Sequence, residues 1–400
     1  MIEESFKLPC GAVLKNRLGK AAMTERFSNS DFKPNQKHYT LYENWAKQGV
    51  GLLITGNVMM DQKNLESAGN VVAKKSSLPE LKKWAAAATQ NNTHCWVQLS
   101  HSGRQTSIFN NRRPVSASDV KLRRLGFFNQ PRALTENEIE EIIQQFVDAA
   151  VLCKEAGFTG IQIHGAHGYL ISQFLSPITN LRTDQWGGSL ENRSRFIFEI
   201  VKKTRKVVGK KFPVSVKLNS SDFQKGGFSE EDSIWVISEL EKLGVDLLEV
   251  SGGTYENAEF LLANNKKDST IKREAFFLDF TQKVRTQTKI PLMITGGIRT
   301  LKFSEEILKK GFVDVAGLAR PFLLYDNFGT RFLSGEILKE SPSIKIGLKG
   351  LEDMSEAGFY NLILDRLGRG KKVKWDYSSV RSAFHLIKHE FVKSIQNKLN

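Results

Sequence analysis

The sequence predicts an α/β protein built as a (β/α)8 TIM barrel, preceded by an N-terminal hairpin and followed by a C-terminal helical extension. Three observations carry that prediction. Apolar strand-like runs alternate with amphipathic helical runs, the pattern of βα units on a parallel sheet. The strand-like runs number eight, which closes a barrel, and 400 residues lie within that fold's range. In four of the runs, polar residues recur with one parity and end near the C-terminal end of the run. Barrel active sites are assembled at that end, from several strands.

Taken in order, residues 6–14 form a hairpin turning at Pro9-Cys10-Gly11. Strands are expected over 18–22, 50–57, 94–100, 160–164, 213–219, 245–252, 291–297 and 313–319. Helices are expected between them, over 38–48, 79–90, 135–156, 189–208, 230–243, 275–288 and 304–310. Thr135 and Glu138 have capping-box spacing at the start of the third helix, and Gly157 ends it. Gly244 and Gly311 close two others. A doubly wound open sheet is the alternative, but the residues after Gly19 read Lys-Ala-Ala-Met-Thr and lack its glycine fingerprint. The parity pairs are Gln98 and Ser100, Gln162 and His164, Ser215 and Lys217, and Glu249 and Ser251.

Residues 1–330 therefore read as the barrel and 331–400 as the extension packed on it. Within the extension, 341–350 reads as a loop, and 354–367 and 379–399 as helices. Val380, Phe384, Ile387, Phe391 and Ile395 form one apolar stripe, expected to lie against the outside of the barrel. A dimer contact is the less favoured use of that stripe.

With 40% hydrophobic and 25% charged residues, the composition is that of a soluble globular protein. No apolar run is long enough to span a bilayer, and the opening MIEESFKLPC lacks the basic and apolar regions of a signal peptide. Cys10, Cys95 and Cys153 form no C-x-x-C pair, which argues against zinc ribbons and iron–sulfur clusters and for a reducing, cytoplasmic setting. The net charge is +15. Its basic pairs, among them Arg123-Arg124, Lys202-Lys203 and Lys266-Lys267, are scattered and mostly have acidic neighbours, so they read as solvated faces. No nucleic-acid or membrane partner is expected, and a share of the charge would steer phosphate-bearing cofactors. Monomer and homodimer both stay open, and no metal site is expected.

The densest chemistry lies at 164–193. His164, His167 and Tyr169 fall within six positions at the end of an apolar run. A lone buried histidine most often satisfies nearby backbone, but polar side chains packed this densely at a strand mouth are costly unless they bind something. Two imidazoles and a phenol can hold one oxygen and deliver a proton close by. Further along, Thr295-Gly296-Gly297 ends the seventh strand, and Gly317-Leu318-Ala319-Arg320 ends the eighth. Barrels often bind phosphate in the loops after those strands, and Arg320 would add a fork of donors.

Taken together, these segments resemble the old yellow enzymes, FMN-dependent NAD(P)H:flavin oxidoreductases on a (β/α)8 barrel. The resemblance covers about residues 5–330. It rests on Lys15-Asn16-Arg17 through Ala22-Met23-Thr24, Gln98 through Arg104, His164 through Tyr169 and Ser176-Pro177 through Asn192-Arg193. Glu249 through Gly253, Thr295-Gly296-Gly297 and Gly317 through Pro321 complete it. The resemblance implies that FMN is held by Ala22, Met23, Thr24, Gln98, Lys217, Gly296, Gly297, Gly317, Ala319 and Arg320. Thr24 matches the residue that hydrogen-bonds flavin O4, and Gln98 the amide that reads the pyrimidine edge. Lys217 replaces a usual arginine beside N1 and O2, and Ala319 a frequent glycine. Ser100 and Arg26 stand where relatives often carry larger apolar or aromatic groups.

The implied reaction is ping-pong: NAD(P)H reduces the flavin, then an α,β-unsaturated carbonyl-type substrate is reduced at its activated C=C bond. His164 and His167 would hold the substrate oxygen, and Tyr169 would protonate the α-carbon. Two other functions fit the same sequence: an NAD(P)H oxidase or quinone reductase in which Tyr169 stays idle, and a non-catalytic barrel binding anionic partners through its charge.

Overall fold

A computed structural model describes residues 1–122, 128–251, 279–296, 298, 300–336 and 349–399. Eight parallel strands close into a barrel, β1 (Leu18–Lys20), β2 (Leu52–Met59), β3 (His94–Ser100), β4 (Gly160–Gly165), β5 (Val214–Asn219), β6 (Leu247–Ser251), β7 (Leu292–Thr295) and β8 (Val315–Leu318). Each pairs with its sequence neighbour, and β1 pairs with both β2 and β8, which closes the ring; the short strand Val71–Val72 adds to the end of β2. The sequence-based strands thus hold: β3 keeps its expected bounds, β4 runs one residue further, β2 is moved two residues on, and the others are trimmed by one or two residues at an end. Gly252, Gly253, Gly297, Arg123, Arg124, Lys266, Lys267 and most of the expected 341–350 loop lie outside the described residues.

The hairpin is present, with Phe6–Lys7 antiparallel to Val13–Leu14. Its Leu8 and Leu14 pack among Leu52, Trp96, Leu247, Met293 and Val315. These five lie in the first half of their strands, so the hairpin plugs the N-terminal end and leaves the opposite mouth for chemistry.

Around the barrel run α1 (Gln36–Ala46), α2 (Leu78–Ala88), α3 (Glu136–Glu155), α4 (Leu190–Val208), α5 (Glu230–Lys242), α6 (279–285) and α7 (Leu301–Lys309). The capping box of α3 forms as its spacing predicts, with Thr135 accepting from the Glu138 N–H and Glu138 accepting from the Thr135 N–H. A second box at α1 uses an imidazole, since Asn35 N–H donates to His38 Nδ1 at 3.1 Å. Helix α8 (Lys349–Gly368) packs against α1, where Lys37 meets Asp365 at 2.5 Å.

Helix α9 (Ser379–Leu399) corrects one expectation. Its apolar stripe faces outward, with Val380 72% and Phe384 67% exposed. The docked face is the polar one. Glu390 accepts from Ala68 N–H at 2.9 Å and Ser67 Oγ at 2.5 Å, while Asn397 donates to the Ala68 carbonyl. Ala383 and Leu386 turn inward near α8, whose Gly358 lets the Ser382 backbone approach closely. Hydrogen bonds to loop backbone after β1 and β2, rather than apolar burial, choose the face.

Candidate active site

The barrel interior below the mouth is a connected polar layer. Gln98 donates to Gln162 Oε1 at 2.7 Å, and Gln162 donates to Glu249 Oε2 at 2.8 Å. Lys217 Nζ meets Glu249 Oε1 at 2.9 Å, both side chains being almost fully buried. Strand register explains the set, since Gln98 pairs with Gln162 and Lys217 with Glu249 across adjacent strands. A buried cation and carboxylate are tolerable only as such a pair.

One step nearer the mouth lies His164, and β4 ends one residue later, at Gly165, where the chain turns sharply. His167 has φ +60°, a left-handed conformation that a histidine adopts at some cost. The turn is braced, with Asn219 Oδ1 accepting from His167 N–H at 3.1 Å and Gln105 donating to the His167 carbonyl at 2.8 Å. This geometry brings the His167 ring back to 5.2 Å from that of His164, while the Tyr169 ring lies 4.8 Å from that of His164. The sequence-predicted trio is therefore assembled.

Protonation follows from surroundings. Burial, together with the charges of His167 and Lys217, holds His164 well below the usual imidazole range, and burial with Lys217 does the same to His167. Both rings are neutral near pH 7. The Ala166 N–H donates to His164 Nδ1 at 3.2 Å, which assigns the His164 proton to Nε2 as a donor. His167 Nε2 shares a 2.6 Å hydrogen bond with Ser251 Oγ, which fixes its ring.

The segment carrying Ala22, Met23 and Thr24 leaves β1 and passes Gly56 of β2. A Cβ on Gly56 would stand 2.4 Å from the Met23 carbonyl and 2.6 Å from Thr24 Cα, so only glycine admits this path. Thr24 donates to Glu66 Oε2 at 2.8 Å. Arg26, with φ +61°, is held by Glu390 at 2.9 Å and lies 3.8 Å from Glu66.

At the ends of β7 and β8, Gly296 has φ +106° and, among the described residues, nothing within 4 Å of an added Cβ, a bare backbone turn. Gly317 is needed for packing instead, because a Cβ there would lie 2.4 Å from Thr295 Oγ1. Ala319 is half-buried, and Arg320 is exposed with Nη1 3.2 Å from Glu356 of α8. The buried Ser100 Oγ and Thr295 Oγ1 have no hydrogen-bond partner among the described residues. These orphaned hydroxyls, the bare Gly296 turn and the buried Lys217 cation suit a flat, polar-edged, phosphate-bearing ligand such as FMN. Gln98 keeps its carbonyl oxygen and second N–H outside its bond to Gln162.

Sequence reasoning passed over Glu66, Asn219 and Glu390. Each works through a partner far along the chain, and only Asn219, beside a polar strand end, carried a readable signal.

A closed barrel with this polar mouth and backbone anion turn defines a small-molecule enzyme of the flavin-binding class. The pattern of the NADH:flavin oxidoreductase / NADH oxidase family matches residues 8–336. The chain is 40% identical over 325 residues to the NADH-dependent flavin oxidoreductase nadA of Aspergillus parasiticus, covering 77% of this chain and 72% of that one. It is 37% identical to the NADH oxidase of Thermoanaerobacter brockii, over 77% of this chain and 47% of the relative. It superposes on a 2-naphthoyl-CoA reductase with TM-score 0.77 and 26% identity, covering 84% of this chain and 52% of that enzyme. The chain thus spans about half the length of those last two. The old yellow enzyme homologue of Zymomonas mobilis shares the fold, at TM-score 0.71 and 21% identity.

The chain belongs to the NADH:flavin oxidoreductase / NADH oxidase family, that of the old yellow enzymes. It is an FMN-dependent oxidoreductase with a reduced nicotinamide as hydride donor. Among the described residues, no helix is long and apolar enough to cross a membrane.

Proposed function

We propose that the protein reduces the activated C=C bond of α,β-unsaturated carbonyl-type substrates with electrons from NAD(P)H. The observation that supports this most is the neutral His164 and His167 pair with Tyr169 beside it at the barrel mouth. The Nε2–H of His164 donates to the substrate oxygen, and His167, steadied by Ser251, completes the grip. Hydrogen bonds to that oxygen strengthen as it gains enolate charge, and such a donor is typically worth about 100-fold or more in rate. Tyr169 delivers the proton to the α-carbon. FMN, when bound, supplies the hydride chemistry. Ala22, Met23, Thr24, Gln98 and Lys217 would hold its ring, and Gly296, Gly297, Gly317, Ala319 and Arg320 its phosphate.

Residues 1–330 serve as the catalytic barrel and 331–400 as the extension on it, in a cytoplasmic setting that suits the free Cys10, Cys95 and Cys153. The test is Tyr169→Phe. Cyclohexenone turnover should fall by about 100-fold, the scale of general acid catalysis, while anaerobic bleaching of the flavin by NADPH persists. Unchanged enone turnover would remove Tyr169 as the acid. A second reading, transfer of electrons to oxygen or a quinone, is favoured by the likeness to an NADH oxidase. A reduced flavin that returns only with air or quinone, and not with the enone, selects it.

A further inference from the structure

Val380 and Phe384 stand exposed on α9, but at the C-terminal end of that helix the apolar stripe meets a second wall. There Phe391 and Ile395 share a cavity of about 410 Å3 with Ile108 and Phe109, from the chain beyond β3. The two walls are tied together. Ser394 Oγ donates to the Phe109 carbonyl, and the Phe109 and Phe391 rings meet edge-on with centroids 6.3 Å apart. Asn129 also lines the cavity and donates to the Asn111 carbonyl at 3.4 Å. The remaining lining is cationic, from Arg112 and Lys398, and includes no acid. Both cations are exposed, and among the described residues neither stands in an ion pair.

Apolar walls with a few polar groups converging on such a volume are the usual make-up of a small-molecule site. At about 30 Å3 per non-hydrogen atom, the share of one water in the liquid, the cavity takes about a dozen atoms. The guanidinium fork of Arg112 suits a carboxylate, which it can hold through two N–H groups. A second copy of the chain suits the face less well. An antiparallel pair of α9 helices would gather Arg381, Lys388 and Lys398 from both copies, while the one acid of α9, Glu390, is turned to the barrel. We propose that the cavity between α9 and residues 108–112 is a binding site for a small carboxylate with an apolar tail. The tail lies among Phe109, Phe391 and Ile395, and Arg112 and Lys398 take the carboxylate. None of these residues belongs to the His164, His167 and Tyr169 grip, so the site stands or falls apart from the proposed reduction.

The experiment is calorimetric titration of purified holoenzyme with octanoate, kept below the range in which it forms micelles, with the visible flavin spectrum recorded alongside. Saturable binding of one octanoate per chain is expected, with a Kd on the order of 1 mM. Octanol, the same tail without the charge, should bind about tenfold more weakly, and Arg112→Ala/Lys398→Ala should weaken octanoate by about tenfold. Ile395→Glu, at a half-exposed position, sets a carboxylate among the apolar walls and should abolish binding. Lys206→Ala/Lys210→Ala, which removes two cations beside the start of β5, should leave it unchanged. No saturable binding, octanol binding as tightly as octanoate, or equal weakening by the two double variants overturns the proposal. Binding that perturbs the flavin band and survives Ile395→Glu puts the ligand at the barrel mouth and overturns it as well. Wild type that elutes as a dimer while Ile395→Glu elutes as a monomer, with octanoate bound by neither, gives the face to a second copy instead.

Discussion

His38, His164 and His167 are imidazoles that the fold keeps uncharged, and each has a consequence for acid stability. His38 is the plainest case, a fully buried ring between Phe27 and Trp84 whose Nδ1 accepts the Asn35 N–H. Burial, helped by the charges of Lys393 and Lys37, pushes it down to about 3 from the ordinary 6.5. Between those values the unfolded chain binds a proton that the native state refuses, so stability falls as pH drops below about 6.5 and the loss levels off near 3. The slope is about 1.4 kcal/mol per pH unit for this residue. His38→Gln keeps a capping acceptor that does not titrate. Chemical denaturation at pH 6.5 and 5.5 should therefore show the wild type losing about 1 kcal/mol more than the variant, the full slope being reached only below that interval. Equal losses would mean that His38 is already charged in the folded protein. What sequence shows at this scale depends on distance along the chain. His164, His167 and Tyr169 were readable because they sit within six positions. Glu390 was not, because its partner Arg26 is 364 residues away and no local pattern records the pairing.

Among the elements, periodicity located the eight barrel strands and the long helices, because a strand buried on both faces and an amphipathic helix leave strong local signals, while short pieces such as Leu170–Leu175 and Phe328–Leu333 leave none. It failed on which way α9 faces. An apolar stripe ordinarily marks the buried side of a helix, yet here Phe384 and Phe391 point outward while Glu390 and Asn397 bind loop backbone. Burial pushes the Glu390 carboxyl up, but the nearby His389 ring, the charge of Arg26 and the hydrogen bond from Ser67 outweigh it and hold the group at about 2. The two faces of α9 should accordingly differ under mutation. Glu390→Ala takes an acceptor from the Ala68 N–H, the Ser67 hydroxyl and the Arg26 cation and should cost about 2–4 kcal/mol in chemical denaturation. Phe384→Ser, at a residue 67% exposed, should change stability by less than about 0.5 kcal/mol. A large loss for Phe384→Ser in dilute protein would show that the stripe is covered in solution, and the oligomeric state would then need measuring.

On the scale of the whole molecule, the +15 charge and the local phosphate turn act on FMN at different ranges, and salt separates them. Many surface lysines are neutralised in ion pairs with nearby acids, as in Lys47–Glu43 and Lys310–Glu306, so the excess acts as a diffuse field rather than a single patch. Such a field extends about 30 Å at 10 mM ionic strength but only about 8 Å at physiological salt. Steering by it can raise association rates by about tenfold or more. The turn at Gly296 and the Arg320 guanidinium act only on contact, and Arg320 must exchange its 3.2 Å partner Glu356 for the phosphate. FMN rebinding to apoprotein, followed by quenching of flavin fluorescence, should therefore slow by about tenfold between 10 and 200 mM salt in wild type. Arg320→Ala removes one of many charges and should keep that salt dependence of the on-rate almost intact. Its loss should appear in the off-rate, with FMN leaving about tenfold faster, since one charge-assisted contact is worth about 1.5 kcal/mol. An on-rate insensitive to salt would show that the excess charge does not reach the mouth of the barrel. An off-rate untouched by Arg320→Ala would move the phosphate away from β8 and leave the β7 turn as its anchor.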